Sequence, residues 1–368
     1  MSRNFSRRPQ RKKAASPQPR NLPEIELSIS GLTHEGKGVG HHDGKAVFVA
    51  GALPEETVRA KITLQKKRFD QAVLQEIIKP SQHRVEPRCE HYQACGGCSL
   101  QHLAFDQQLF FKEKHLLDSL QRIAGAAPES VMPAIVGPQW HYRRKARLSC
   151  SYDKKAKHLQ IGFREKESKN VVDVRHCPVM EAPFDNLFEQ LSSAINALKK
   201  AQFVSHIELL KADNCNAILI RHVKPLDDSD KNQLIAFAQQ NSLELYLQGE
   251  ATESPVVLWA DKAYLEVQFA DIKYQLGFQD FLQVNAQVNT QMLQLVTDLL
   301  QPEKADVVLD LFCGFGNLSL AIANTVAQVI GVEGSEAMVR QASENAALNA
   351  INNTAFYQMD LTQDLLAQ

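Results

Sequence analysis

A chain that carries the stretch from Val307 to Glu333, VVLDLFCGFGNLSLAIANTVAQVIGVE, has few folds open to it. Val307, Val308 and Leu309 form a short apolar run ending in Asp310, the pattern of a strand buried on both faces. A glycine turn follows at once. Gly314 and Gly316 let the backbone bend tightly and approach a ligand with no Cβ in the way, and Leu318 to Ala323 opens a helix. Val329, Ile330 and Val332 form a second strand leading into Glu333, whose carboxylate is placed to accept hydrogen bonds from two ribose hydroxyls. A helix over 335–350 and a third strand over 355–359, ending in Asp360, continue the alternation expected of a parallel Rossmann-like sheet.

The ligand suggested is a nucleoside without a pyrophosphate. Gly314-Phe315-Gly316-Asn317-Leu318-Ser319 has serine where a dinucleotide fingerprint has its third glycine. S-adenosylmethionine has a ribose and an adenine but no phosphate, and its ammonium and sulfonium charges suit a site containing Asp310 and Glu333. An ordinary strand–turn–helix corner would share the glycines. The wording DLFCGFGNLSL is narrower, and resembles the cofactor loop of the RNA uracil-C5 methyltransferases.

Length and charge fit such an enzyme. The 368 residues suffice for two or three cores, and 44% hydrophobic content is that of a soluble globular protein. No apolar run approaches the roughly 20 residues of a spanning helix, and the N-terminus lacks the apolar core of a signal peptide, so a cytoplasmic location is expected. Seven cysteines then read as reduced thiols or metal ligands. The net charge of −1 hides a segregation. Residues 1–23 carry seven basic residues and no acid, and residues 141–169 carry ten against Asp153, Glu165 and Glu167. Such separation points to surfaces that face a polyanion, with Arg143, Arg144 and Arg147 as candidate phosphate contacts.

Along the chain, residues 1–22 form a Pro-, Arg-, Gln- and Ser-rich tail expected to be disordered. From Glu24 the period is two, with Ile25, Leu27 and Ile29, then Ala46–Val49, Val58–Leu64 and Val73–Leu74 around glycine-rich turns, predicting a small β-barrel. The phrases GLTHEGKGVG, AVFVAGALPEE and VRAKI resemble the TRAM domain, an OB-like RNA-binding module. Leu109, Leu116, Leu120 and Ile123 predict a core-facing helix over 100–123, expected to pack on the methyltransferase part. Hairpin strands over 142–174, an amphipathic helix over 182–200, a helix over 229–240 and strands at 207–210, 217–220, 243–247, 256–259 and 264–269 predict an α+β central domain.

Cys89-x5-Cys95-Gly-Gly-Cys98, with Cys177 far downstream, is the second strong motif. Four thiolates complete either a tetrahedral zinc site or a [4Fe–4S] cube, and spacing alone leaves both open. CEHYQACGGCSLQHL and DVRHCPV resemble the cluster-binding segments of the RlmD branch of the same family, which implies a [4Fe–4S] cluster on Cys89, Cys95, Cys98 and Cys177. The cluster's expected role is to staple distant segments, with no redox step. Cys150 and Cys215 read as small apolar residues. Phe278 to Asn285, FQDFLQVN, resembles the family's FxQVN element, whose glutamine touches the cofactor, while Asn285 alone reads equally well as a helix cap.

The resemblance runs from about Pro23 onward and implies a multidomain α/β protein. Its parts are an N-terminal OB-like β-barrel (TRAM) over 23–81, an α+β central domain with the iron–sulfur cluster over 82–277, and a partial class I methyltransferase (Rossmann-like) domain over 278–368. It implies S-adenosyl-L-methionine held by Gln283, Phe312, Asn317, Glu333 and Asp360, and 23S rRNA as partner, one uridine becoming 5-methyluridine; no protein partner is implied and a monomer is expected. The family's nucleophilic cysteine and general base lie downstream of the third strand, so both are expected beyond Gln368, leaving a fragment with an uncovered apolar edge at Val307–Leu309 and no methyl transfer. Two other readings stand beside this one. They are an RNA-binding iron–sulfur protein with a vestigial methyltransferase part, and an iron–sulfur redox protein.

Overall fold

The computed structural model describes residues 22–249 and 254–361; the basic tail up to residue 21 lies outside them. Among the described residues, one compact unit runs to Glu86 and takes in Ser99–Glu129. The other holds Pro87–Cys98 and the chain from Ser130 onward.

In the first unit, strands β1 (Glu24–Leu32), β2 (Lys37–His42), β3 (Lys45–Ala50), β4 (Thr57–Gln65) and β5 (Phe69–Lys79) close a barrel in the order β1-β2-β3-β5-β4. The period-two residues Ile25, Leu27, Ile29, Val47, Val49, Val58, Ala60 and Ile62 fill it. Gly40 in β2 is obligatory on packing grounds, since a Cβ there would stand 2.6 Å from the Ser28 carbonyl oxygen. The barrel bears out the TRAM-like expectation. Buried Glu56 pins its exit: the carboxylate accepts from Leu53 N at 2.8 Å and pairs with Arg84 Nε at 2.6 Å. Burial pushes that acid up, but the Arg84 bond and the backbone donors outweigh it and leave the acid below its ordinary value.

Helix α1 (Phe105–Ser119), extended by a π-helical turn at Leu120–Ala124 and stopped at Gly125 with φ +64°, corrects one expectation. It buries none of its residues, and Phe110, Leu116 and Ile123 are 53%, 60% and 80% exposed. Helical periodicity shows which residues share a face; it does not show that the face is covered.

In the second unit, β6 (Lys145–Asp153), β7 (His158–Arg164), β8 (Val171–Asp173), α2 (Phe184–Asn196), β9 (Val204–Lys211), β10 (Asn216–His222), α3 (Asp228–Gln240), β11 (Leu243–Gln248) and β12 (Val256–Trp259) build the central layer. The sheet order is β12-β11-β10-β9-β6-β7-β8, antiparallel except for β10–β11, which α3 connects. Alternate residues (Leu148, Ile161, Ile207, Leu209, Ile218, Ile220, Leu245) turn to α2 and α3 and bury with Phe184, Phe188, Leu191 and Leu234.

A hairpin of β13 (Leu265–Phe269) and β14 (Ile272–Leu276) leads into α4 (Ala286–Leu300) and the alternation β15 (Val307–Leu311), α5 (Asn317–Ala323), β16 (Gln328–Glu333), α6 (Glu336–Leu348), β17 (Thr354–Gln358). The sheet β15-β16-β17 is parallel, as the sequence predicts. β14 was not foreseen. Its outer edge is satisfied by the end of α6, where Oδ1 of Asn349, the residue capping the helix, and of Asn345 accept from Lys273 N at 2.9 Å and Gln275 N at 2.8 Å. β15 is not buried on both faces: it is an edge strand, with Val307, Leu309 and Leu311 59%, 58% and 47% exposed. Asp310 sits inside the strand with its side chain directed inward, so the apolar run before it does not report burial on both sides.

Candidate functional site: the glycine loop and the cysteine centre

The loop from Phe312 to Gly316 is organised by the protein's own hydrogen bonds. Phe312, Gly314 and Gly316 have φ of +63°, +57° and +92°. The glycines adopt this region freely; Phe312 does not, and its strained backbone presents a ring that is 68% exposed. Glu333 Oε2 accepts from Gly314 N at 3.2 Å and Oε1 from Ser335 N at 3.0 Å, tying the end of β16 to the loop. Asp310 Oδ2 accepts from Ser319 Oγ at 2.6 Å. Burial pushes the Asp310 carboxyl up, with the Ser319 bonds opposing.

A second segment approaches from 277–285. Lys145 Nζ donates to the Phe278 and Asp280 carbonyls at 2.7 and 2.6 Å, and Arg144 N donates to Val284 O at 3.0 Å. This fixes Gln283. Asn285 caps α4 by accepting from Val288 N at 3.1 Å, so its helix-cap role is real. One turn on, buried Asn289 and half-buried Asn317 exchange reciprocal amide bonds of 3.2 and 2.9 Å, and Tyr274 Oη donates to Asn317 O at 3.0 Å. Asn317 therefore ties the start of α5 to α4 and the hairpin.

Between these segments lies a cavity of about 250 Å³. Gln283, Phe312 and Asn317 line it, together with Asp310, Phe269, Phe281 and Met338. Glu333 and Asp360 are not among its lining residues: Glu333 is bonded to the loop backbone at Gly314, and Asp360 follows Met359, whose N–H donates to Glu333 O at 3.0 Å. Phe269 and Met338 carry no sequence signal, since each is one apolar residue of an ordinary strand or helix. Phe281 lies within FxQVN and could have been found there. Cys313 is buried under the loop and its thiol is pushed up to about 12 by burial, with the Asp310 and Glu333 charges adding to it. It is a poor nucleophile at neutral pH.

The cysteine centre joins two segments. Gly96 N donates to Arg164 O at 2.8 Å and Lys166 N to Ala94 O at 2.9 Å, a bridge that lays the 94–97 loop along the end of β7. A Cβ on Gly96 would meet the Arg164 oxygen at 2.9 Å. The second segment enters through Arg175 N, which donates to His91 Nε2 at 3.1 Å, and Cys177 N, which donates to Asp185 O at 3.0 Å. Burial raises the Cys89, Cys95 and Cys177 thiols, Cys177 to about 12, and the nearby charge of Cys98 raises all three further. Four cysteines outside any disulfide, from two distant stretches, thus share one neighbourhood. Among the described residues no three His, Cys, Asp or Glu side chains yet stand close enough to hold a metal ion. The donor chemistry fits a thiolate-bound centre, because burial is what chiefly raises the Cys89, Cys95 and Cys177 thiols and a cation there would stabilise their buried thiolates.

The basic segment divides. Arg144 is 3% exposed and pairs with Asp213 and, at 3.9 Å, Glu181, so it is an internal tie and not a surface contact. Burial lowers the Lys145 pKa, with Glu208 and Asp280 opposing. Arg147 stays exposed.

Two family matches cover most of the chain. The TRAM domain matches residues 23–72, and the tRNA (uracil-5-)-methyltransferase family matches residues 104–365. A protein named 23S rRNA (uracil(1939)-C(5))-methyltransferase RlmD, from Shewanella sediminis, is 41% identical over 343 residues, covering 93% of this chain and 77% of the relative. The chain belongs to the RNA uracil-C5 methyltransferase family. The protein of the same name from Legionella pneumophila is 38% identical over 346 residues, covering 93% of this chain and 78% of its own. The family fold is seen in the Pyrococcus abyssi tRNA (uracil-54, C5)-methyltransferase, solved with S-adenosyl-L-homocysteine, which superposes with a TM-score of 0.68 at 22% identity over 92% of this chain and 80% of that one. Membership favours the enzyme reading over both alternatives drawn from the sequence. Among the described residues, no helix is long and apolar enough to cross a membrane.

Proposed function

We propose that the chain serves S-adenosylmethionine-dependent C5 methylation of one uridine in 23S rRNA, in the cytoplasm. The observation that carries this is the cavity shared by the glycine loop and FxQVN, which places Gln283, Phe312 and Asn317 around one space beside Asp310. Gln283 offers both a donor and an acceptor to the zwitterionic end of the cofactor, Asp310 a negative charge to its cations, and Phe312 an apolar ring. Glu333 and Asp360, at successive strand ends, are assigned to the ribose and adenine sides, where ligands of parallel α/β sheets bind. The [4Fe–4S] cluster is assigned to Cys89, Cys95, Cys98 and Cys177. When bound, it supplies a cross-link between the 89–98 loop and the segment before α2.

C5 of uracil is a weak nucleophile, and the reaction needs a thiolate that adds at C6 and a base that removes the C5 proton. Cys150, Cys215 and Cys313 do not suit the first role, since burial pushes their thiols to about 12, 11 and 12. The test is methyl transfer from labelled S-adenosylmethionine to unmodified 23S rRNA, run beside cofactor- and RNA-binding titrations and beside trapping on 5-fluorouridine-substituted RNA. Binding of both ligands is expected, with no adduct on these three cysteines. A chain that binds neither ligand contradicts the function, and an adduct mapped to one of the three contradicts their exclusion.

A further inference from the structure

The face of the central sheet opposite α2 and α3 carries a band of charge that the cofactor cavity does not use. In β6 the residues turned away from the helices include Arg147 and Ser149, in β7 Gln160 and Arg164, in β9 His206 and Glu208, and in β10 Arg221. Register aligns them, since Arg147 pairs with Glu208, Ser149 with His206, and His206 with Arg221. Four adjacent strands about 4.8 Å apart thus spread three guanidiniums over roughly 14 Å.

The charges are not balanced within the face. Glu208 is committed to Arg221, at 2.7 Å from Nη2. Arg221 Nε is nevertheless buried without a hydrogen-bond partner, and Arg147 and Arg164 are exposed with no ion pair among the described residues. Nearby carboxylates are spent elsewhere, with Asp173 on His158 and Ile161 N and Asp153 on the turn at Lys155 and Ala156. The imidazole of His206 feels the result: its pKa is lowered by burial and then by Arg147, Arg221 and Arg164. Like charges held together on a rigid sheet lower their mutual repulsion by binding an anion. The face offers no stacking platform, because its one aromatic among the named strands and β11, Tyr246, is packed edge-on against Phe278 at 5.3 Å.

We infer that this sheet face, through Arg147, Arg164 and Arg221, holds backbone phosphates of the RNA substrate, a sequence-independent anchor separate from the cofactor cavity's lining; this rests on the proposed function. Base recognition is left to other surfaces. Phosphate neutralisation sets the salt dependence of binding, each contact contributing about 0.9 to the slope of log affinity against log salt for a duplex and about 0.7 for a single strand.

The test compares binding of a 23S rRNA fragment to wild type, to Arg147→Gln/Arg164→Gln, and to Lys199→Gln/Lys224→Gln, which removes two exposed lysines outside the band. Arg221 is left intact because its loss would strand the buried carboxylate of Glu208. The arginine pair should lower the slope by about 1.4–1.8 with its melting temperature unchanged, and the lysine pair should leave the slope alone. A slope unchanged by the arginine pair, or lowered equally by both pairs, overturns the anchor while leaving RNA binding in place. Wild type that does not bind RNA overturns the anchor and the proposed function together.

Discussion

The glycine loop and the cysteine centre are both announced by short motifs, yet the protein holds them in opposite states. Around the loop nearly every polar group has a partner within the chain: Glu333 on Gly314 and Ser335, Asp310 on Ser319, Asn289 on Asn317. At the centre the backbone is bridged, but burial raises the Cys89, Cys95 and Cys177 thiols, the nearby charge of Cys98 adds to it, and backbone donors such as Gly97 N, 3.4 Å from Cys95 Sγ, only oppose it in part. On the proposed function, one site is built before its ligand arrives and the other would be completed by it, so removing a bound metal is expected to disturb the fold and removing the cofactor is not.

The sharpest break in this comparison is Cys177→Ala. A group bound a thousandfold above its Kd stabilises by about 4 kcal/mol, which for a unit of this size is roughly 8–16 °C in Tm. Loss of iron and sulfide together with a fall of that order is expected, whereas Cys215→Ala should keep both. Zinc without sulfide in the purified protein would refute the cluster, and an unchanged Tm on its loss would refute the stapling role.

Arg144→Ala comes next. It removes a charged hydrogen bond and leaves half-exposed Asp213 with the Gln268 N–H but no cation, so unfolding in urea should show a loss of about 1.5–3 kcal/mol, with the salt slope of RNA binding unaltered. A lowered slope at full stability would return Arg144 to the RNA surface.

That residue shows where sequence reading stops. The DLFCGFGNLSL wording and the period-two pattern of the barrel are local, and each survived into the structure as an element. Whether an arginine points outward depends on a partner 69 residues away, and nothing in RRKARLS distinguishes Arg144 from Arg147. β14 was missed for a related reason. It is five residues long, and its outer edge is satisfied by asparagine side chains at the end of α6 that no strand pattern anticipates. Met338 and Phe269 enter the cavity only because α6 and the hairpin pack against the loop.

A smaller effect distinguishes the prebuilt site by pH. The Asp310 carboxyl titrates above its ordinary value because it is buried. In the free protein it gains its negative charge only as pH rises through that raised pKa, and a cationic ligand favours the ionised form. S-adenosylmethionine affinity should therefore fall as pH drops through the same window, and Asp310→Asn should flatten the dependence. A profile identical in both proteins would remove Asp310 from the site.

The central claim is that the loop between β15 and α5 holds S-adenosylmethionine, and calorimetric titration of the whole chain tests it directly. Wild type should bind one equivalent, and Glu333→Ala should bind more weakly by about 1.5–3 kcal/mol, the range for hydrogen bonds to a charged group. Absence of binding in wild type, or equal affinity in the two proteins, would contradict the account.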